Sequence, residues 1–116
     1  MKIKFASRKQ QEEFSIESVL FRKHSQAQAK CIKRRMKAFK DAKNLHYFWP
    51  PKKKPERCHE LKGNKKGIFS VDLDNQNRLL FKPTDDIVET AKDSSGHYDW
   101  SLITEIVILG VEDTHG

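Results

Sequence analysis

The sequence RCHELKGNKKG occupies residues 57–67 and runs directly into IFSVDL at residues 68–73. The first segment holds one histidine, four cationic side chains and two glycines within eleven residues. Glycine allows a positive φ and a close approach to a ligand, cations bind phosphate oxygens, and histidine transfers protons near neutral pH. The second segment alternates apolar and polar residues from Phe69 to Leu73, as a half-buried strand does. This stretch therefore predicts one wall of a phosphate-directed site, with a scaffold before it and the other wall after it.

The residues before this stretch predict a strand and two helices. Residues 2–6 alternate polar and apolar side chains, which indicates a short strand. Each predicted helix follows a capping-box pattern, a serine with a glutamine three residues later, at Ser7/Gln10 and Ser25/Gln28. These patterns predict helices over about residues 8–23 and 26–42, joined as a helical hairpin. The second helix carries an apolar stripe at spacings of three and four, formed by Ala29, Ile32, Met36 and Phe39.

Residues 44–55 predict a loop, because they contain three prolines, which exclude regular structure. The loop also contains three consecutive aromatic residues, Tyr47, Phe48 and Trp49. Such side chains either pack on the core or stack on a nucleobase, and we favour packing here.

The residues after the loop predict a small, mostly antiparallel sheet. Residues 57–62 are expected to enter it and residues 64–67 to form a turn. The strand from Phe69 is followed by a hairpin turn at Asp74-Asn75 and a returning strand over residues 78–82, closed by Pro83.

Two further segments complete the prediction. Residues 84–98 are polar and acidic and predict a surface loop of low order. The run Ile106–Leu109 is apolar on both faces, which is typical of a strand deep in a sheet. The fold class is therefore α+β, with helices on one face of the sheet and the other face free to form a site.

Composition narrows the class of protein. A chain of 116 residues is expected to form one domain over residues 1–116. No apolar run approaches the roughly 20 residues that span a bilayer, and residues 1–5 lack the apolar region of a signal peptide. We therefore expect a cytoplasmic protein without membrane contact. Cys31 and Cys58 form no C-x-x-C pair and no H-x-x-x-H or H-E-x-x-H motif occurs, so we expect reduced cysteines, no metal and no cofactor.

The net charge of +7 is distributed unevenly. Residues 1–67 hold 20 of the 23 Lys and Arg and 6 of the 16 Asp and Glu, a balance of +14, and residues 68–116 have a balance of −7. If both halves share a core, one face is strongly basic and attracts nucleic acid or an acidic protein. A solubilising lysine surface is the alternative.

The residue types fit metal-free cleavage of single-stranded RNA. In this reaction the ribose 2′-OH attacks the adjacent phosphorus and leaves a 2′,3′-cyclic phosphate and a 5′-OH. The step needs a base, an acid and cations for the phosphorane. His59 and His115 are candidates for the base and the acid, in either order, and Asp113 for orienting an imidazole. Candidate cations are Arg78, Lys62, Lys65 and Lys66, with Arg57 beside them.

Each of these residues has a structural alternative. His59 fits equally a strand histidine with a satisfied hydrogen bond. Arg78 fits a surface cation or a structural ion pair. His115 lies one residue from the C-terminal end of the sequence, where disorder is common.

Several segments together resemble the HigB, or plasmid-killer, toxins of the RelE/ParE superfamily of type II toxin–antitoxin modules. They are residues 58–67, the strand 69–73, the strand that begins Arg78-Leu79-Leu80-Phe81, and the ending Val111-Glu112-Asp113-Thr114-His115. The similarity is close over residues 58–83 and 104–115, whereas the N-terminal strand and helices agree in architecture only.

The resemblance implies a RelE-like, microbial-ribonuclease-like fold and a ribosome-dependent mRNA endonuclease that inhibits translation. It implies a helix-turn-helix antitoxin as partner, with operator DNA bound only through the antitoxin complex. By position, His59, Arg78, Asp113 and His115 match catalytic residues, and Lys62 and Lys65 match the loop that contacts RNA. Thr114 falls at a further RNA-contacting position but departs from the pattern, because the family usually has a tyrosine there and threonine has no ring or phenol.

Two other functions stay open at this point. ParE relatives share the fold, inhibit gyrase and lack the histidine pair. The chain also fits a non-catalytic RNA- or ribosome-binding module whose lysines supply all of the binding.

Overall fold

Five strands form one mixed sheet in the computed structural model of this protein, which describes residues 1–74 and 76–113. Their order across the sheet is β1-β5-β4-β3-β2. Neighbouring strands run antiparallel except β1 and β5, which are parallel. The strands are β1 (Lys2–Phe5), β2 (His59–Glu60), β3 (Phe69–Asp72), β4 (Asn77–Pro83) and β5 (Glu105–Asp113).

Four α-helices accompany this sheet in the described part of the chain. They are α1 (Arg8–Ser15), α2 (Glu17–Lys23), α3 (Gln26–Asp41) and α4 (Asp85–Ala91). The α+β class predicted from the sequence is therefore confirmed. None of the helices is long and apolar enough to cross a membrane within the described residues.

The predicted caps form at both serines. The Ser7 hydroxyl accepts a hydrogen bond from the Gln10 backbone N–H, and the Ser25 hydroxyl accepts one from that of Gln28, each at 3.1 Å. These bonds satisfy N–H groups that a helix start leaves without intrahelical partners.

The single helix predicted over residues 8–23 is wrong, because the chain breaks at Ile16 with φ −100° and ψ 114°. Phe14 and Leu20 are both buried. In one continuous helix they would point about 120° apart, and the break lets both reach the core. His24 then ties the segments together, with Nε2 2.7 Å from Glu13 and Nδ1 2.6 Å from Gln28.

The apolar stripe of α3 packs on the sheet as its spacing predicts. All four of its members are buried. The Phe39 ring contacts the Phe81 ring of β4 edge-on, with centroids 4.9 Å apart, and the Phe48 ring at 5.5 Å. The basic side chains of α3 are left largely on its outer surface, where Lys33, Arg34, Lys37 and Lys40 are exposed.

The loop of low order predicted over residues 84–98 is also wrong, because α4 begins at Asp85 and ends at Ala91. Thr84 occupies its N-cap position, and Asp85 and Asp86 lie in its first turn. Acidic residues there interact favourably with the helix dipole. Thr84 and Ala91 are buried, so the segment is anchored at both ends.

Burial within the strands differs from the predicted patterns at two places. Ser70 should face solvent in a half-buried strand, but it is fully buried in β3. In β5, Ile106 and Ile108 are fully buried whereas Val107 and Leu109 are only partly covered. β5 lies inside the sheet, between β1 and β4, as predicted. Its two faces are not equally buried, however, although the apolar run indicated that they would be.

The aromatic loop is partly ordered by a short 3-10 helix, Leu45–Phe48. Phe48 is buried as predicted, but Tyr47 is 65% exposed and Trp49 is 44% exposed. Phe48 thus packs within the core, whereas Tyr47 and Trp49 contact one buried ring each, Phe48 and Trp100, and stay partly exposed.

Candidate functional site

His59 lies on the short strand β2, half-buried, at an edge of the sheet. Its Nδ1 is 2.7 Å from the backbone carbonyl oxygen of Arg57. A carbonyl oxygen only accepts hydrogen bonds, so Nδ1 carries the proton in this contact. In a neutral ring the other nitrogen, Nε2, is then an acceptor with a free lone pair, which is the state that a general base requires.

The backbone at Arg57 positions that carbonyl. Arg57 has φ 48°, in the left-handed region that non-glycine residues rarely adopt. Its N–H donates to Lys53 O at 2.8 Å, and its guanidinium pairs with Asp72 of β3 at 3.0 Å. These contacts hold an unfavourable conformation beside the histidine, as is common at functional sites. Within residues 57–62, which were predicted to enter the sheet, only His59 and Glu60 form a strand.

Arg78 on β4 is held by Glu112 on β5, its direct neighbour across the strands. The Arg78 Nη2 and Nε atoms lie 2.5 Å and 3.1 Å from Glu112 Oε1. Lys65 contacts the other carboxylate oxygen, Oε2. Hydrogen bonds from Lys65 and then Arg78 lower the pKa of Glu112, so this carboxylate stays ionised between two cations.

A cleft of about 360 Å³, here called the cationic cleft, brings His59 and Arg78 together. From the strand spacing and register, their Cα atoms lie roughly 12 Å apart, a span that two inward-pointing side chains and one phosphate group can fill. The cleft is lined by Lys52, Arg57, His59, Asp72, Gln76, Asn77 and Arg78. Its lining holds three cations, of which Arg57 is paired with Asp72 and Arg78 with Glu112. The cleft can attract a phosphate because a guanidinium has further N–H donors for a second acceptor.

A second cavity of about 550 Å³, here called the aromatic groove, also has His59 in its wall. It is lined by Trp49, Pro51, Lys52, His59, Glu60, Leu61, Lys62, His97, Tyr98 and Trp100. His59 and Lys52 thus lie in the walls of both cavities. Charged and polar side chains line the cationic cleft, whereas three aromatic rings line the aromatic groove. No sequence motif singles out His97, Tyr98 or Trp100, and no spacing in the sequence connects them with His59.

The remaining predicted RNA contacts lie in the turn after β2. Gly63 and Gly67 have positive φ, as predicted, and Gly67 N–H donates to the Glu60 carboxylate at 2.9 Å. Lys62 and Lys66 are exposed, and Lys62 borders the aromatic groove. Lys65 differs from them, since Glu112 engages its ammonium group.

The C-terminal candidates are only partly described. Asp113 ends β5 and is paired in register with Asn77, one residue from Arg78. Thr114 and His115, predicted to contact RNA and to act as acid or base, lie outside the described residues, as does Asn75 of the predicted hairpin turn.

The two cysteines are free and buried. Burial, followed by the charge of Glu56, raises the pKa of the Cys58 thiol. A thiol held in this state is a poor nucleophile and a poor metal ligand, although Cys58 directly precedes His59. Within residues 1–74 and 76–113, no group of three or more His, Cys, Asp or Glu side chains is placed to hold a metal ion.

Comparison with protein-family models and with curated protein sequences finds no match to this chain.

Proposed function

We propose that this chain is a metal-independent endoribonuclease, the toxin component of a type II toxin–antitoxin module of the HigB kind, which cleaves mRNA on the ribosome. The observation that carries the proposal is the Nδ1 contact of His59 with Arg57 O, in a cleft that Arg78 also lines. This contact leaves Nε2 available to accept a proton, and Arg78 and Arg57 are suited to a phosphate beside it.

In the proposed reaction His59 Nε2 takes the proton of the ribose 2′-OH. The 2′ oxygen forms a bond to phosphorus, and the bond from phosphorus to the 5′ oxygen breaks. The leaving 5′ oxygen takes a proton from an acid, for which His115 is the candidate from the sequence. The products are a 2′,3′-cyclic phosphate and a 5′-OH, and no cofactor takes part.

The ion pair of Arg78 with Glu112 has a defined place in this scheme. The carboxylate neutralises part of the cationic charge and fixes the guanidinium at the edge of the cleft. An incoming phosphodiester would add a second acceptor to the guanidinium, which has five N–H donors. The shared Lys65 ammonium would reinforce the positive potential on the same side.

The proposed partners follow from the same assignment. They are a cognate helix-turn-helix antitoxin, mRNA bound to the ribosome, and operator DNA reached only through the antitoxin complex. The exposed cations of α3 give a further positive surface that would suit the phosphates of the mRNA.

A second candidate is a non-catalytic RNA- or ribosome-binding module. One observation favours it: Arg78 and Lys65, two of the proposed catalytic or RNA-binding cations, are already engaged by Glu112. In this case the protein would bind RNA with a steep dependence on salt, because phosphate contacts release counterions, but would form no cleavage product.

Primer extension on mRNA incubated with translating ribosomes tests the proposal. We expect new 5′ ends with the wild-type protein and a loss of roughly 10²- to 10⁴-fold in cleavage rate for His59→Asn, the range typical of a general base. Asparagine keeps an N–H near the position of Nδ1, so the contact with Arg57 O and the fold should persist, which a thermal melt verifies.

The remaining outcomes separate the candidates. RNA binding without new ends supports the binding module. Growth arrest without new ends and without RNA binding supports a gyrase-inhibiting relative, for which a DNA supercoiling assay is the direct measurement. Equal cleavage by wild type and His59→Asn contradicts the role of His59. Ribosome-free RNA should give no new 5′ ends with the wild-type protein, and new ends there would contradict the dependence on the ribosome.

A further inference from the structure

The aromatic groove presents an unusual combination of side chains beside His59. Trp49, Tyr98 and Trp100 supply rings, and Lys52 and Lys62 supply cations. Its volume of about 550 Å³ falls within the usual range for small-molecule sites. These rings belong neither to the predicted catalytic residues nor to the predicted RNA-contacting loop, so they have no role in the proposed reaction so far.

Trp49 is the most exposed of the three rings. Trp100 is buried and meets Trp49 edge-on, with centroids 5.0 Å apart and planes at 87°. The His46 imidazole stacks on Trp49 at 5.8 Å with planes 7° apart. Even so, 44% of Trp49 is exposed. A large ring left exposed at the mouth of a cavity is a common feature of binding sites.

The chain around Trp49 is held in place, so the ring is presented in a defined position. Leu45 and Phe48 of the preceding 3-10 helix are buried, and Leu45 N–H donates to Ile103 O at 3.0 Å. Trp49 N–H donates to His46 O at 2.9 Å. A ring fixed in this way loses little conformational entropy when a ligand stacks on it.

The charges around the groove indicate the chemical class of its occupant. Lys52 and Lys62 line it and Lys53 and Lys54 follow along the loop, against the one lining carboxylate of Glu60. Burial, followed by the charge of Glu60, raises the pKa of Tyr98, so its phenol keeps its proton and can donate. Rings beside cations fit a nucleotide, because the base stacks while the phosphate pairs with lysine.

We infer that the aromatic groove binds one unpaired base of single-stranded RNA, next to the phosphate in the cationic cleft, with Trp49 as the stacking residue. Because His59 lies in the walls of both cavities, a nucleotide in the groove is adjacent to the 2′-OH from which His59 would take the proton. The position of the base relative to the cut rests on the proposed function. Binding of the base does not, because it can be measured without cleavage.

The test is fluorescence anisotropy with a labelled single-stranded RNA whose 2′ positions are methylated, so that no cleavage occurs. We expect Trp49→Ala to weaken binding by roughly 5- to 150-fold, the range for loss of one base–aromatic stack. Tyr47→Ala is the matched control, because Tyr47 lies two residues away, is more exposed and does not line the groove. It should bind like the wild type.

Trp49→Leu guards against a change in folding. Leucine keeps an apolar cover over Trp100 but offers no ring, so this variant should melt like the wild type and bind as weakly as Trp49→Ala. An RNA of the same length without bases should bind the wild type and Trp49→Leu equally, since only a base can distinguish them.

Each outcome decides the inference. Unchanged binding in Trp49→Leu, an equal loss in Tyr47→Ala, or no RNA binding by the wild type overturns the groove as a base site. If Trp49→Leu keeps full affinity while His59→Asn loses cleavage, the groove is rejected and the nuclease stands. If Trp49→Leu loses affinity while the wild type cleaves nothing, the groove stands and the nuclease is rejected.

Discussion

The contact between α3 and the sheet and the cationic cleft are stabilised by opposite means. Under α3, fully buried rings and aliphatic side chains pack on one another, and Phe39 touches Phe48 and Phe81. In the cleft, ion pairs and a left-handed backbone hold partly exposed polar groups, as at Arg57. The first arrangement supplies stability, and the second keeps charged groups in position at some cost in stability.

Removing the ring at the centre of the α3 contact should have the largest effect on stability. Phe39→Ala is expected to lower the free energy of unfolding by about 3–5 kcal/mol, through lost transfer free energy and the cavity left behind. Urea unfolding followed by circular dichroism measures it. Tyr47→Ala, at an exposed ring, should stay within about 0.5 kcal/mol of the wild type. Similar losses in both variants would contradict the assignment of Phe39 to a tightly packed core contact.

The backbone at Arg57 allows the strain in the cleft to be measured. Arg57→Gly and Arg57→Ala both remove the ion pair with Asp72, but only glycine adopts φ 48° without steric cost. We expect Arg57→Gly to be more stable than Arg57→Ala by about 1 kcal/mol. Thermal unfolding of the two variants gives the difference. Equal stabilities would show that the left-handed backbone at this residue carries no strain.

The carboxylate of Glu112 predicts a dependence on pH. Its pKa is lowered from the ordinary value of 4.5 by Lys65 and Arg78. The ionised form is therefore favoured by folding, and its contribution is present above pH 4.5 and is lost as the pH falls through the lowered value. Glu112→Gln should cost about 1 kcal/mol at pH 7, and the gap to the wild type should close in acid.

Urea unfolding of both proteins at pH 7 and at successively lower pH measures this gap. Asp41→Asn, which removes an exposed pair with Lys37 on α3, is the control and should show a smaller gap. A gap for Glu112→Gln that is constant with pH would contradict the ion-pair assignment.

The smallest effect is expected at Ser70, which lies opposite His59 in the pairing of β2 with β3. Its buried hydroxyl has no hydrogen-bond partner among the described residues. Removing a buried group of this kind costs nothing or is stabilising, so Ser70→Ala should unfold within about 0.5 kcal/mol of the wild type or be more stable. Ser101→Ala, which loses a 2.6 Å bond to Asp99, should be less stable. A clear loss for Ser70→Ala would reveal a partner for its hydroxyl.

The parts of the fold that sequence patterns predicted are those built from near neighbours. The capping serines and the stripe of α3 depend on residues three or four positions apart, and the glycine turns at Gly63 and Gly67 depend on single residues. The helix α4 is not predicted by its polar composition, which is typical of a loop, although Thr84 and the two aspartates after it are a helix start signal.

The candidate site was predictable in its residues but not in its arrangement. His59 and Arg78 stood out as chemical types, yet their common cleft depends on the order of β2, β3 and β4. The break at Ile16 and the burial of Ser70 also follow from packing between distant elements. Thr114 and His115 remain predictions, since they lie outside the described residues.

The sequence by itself determined the starts of α1 and α3, the buried face of α3, the positive charge of residues 1–67 and the basic turn after His59, because each depends on local geometry or composition. Only the tertiary structure decided that Glu112 joins Arg78 and Lys65, which lie 34 and 47 residues away from it. It also decided that Trp49 and Trp100 form a groove beside His59. Strand register and loop packing bring these residues together, and both depend on the whole core rather than on neighbouring residues.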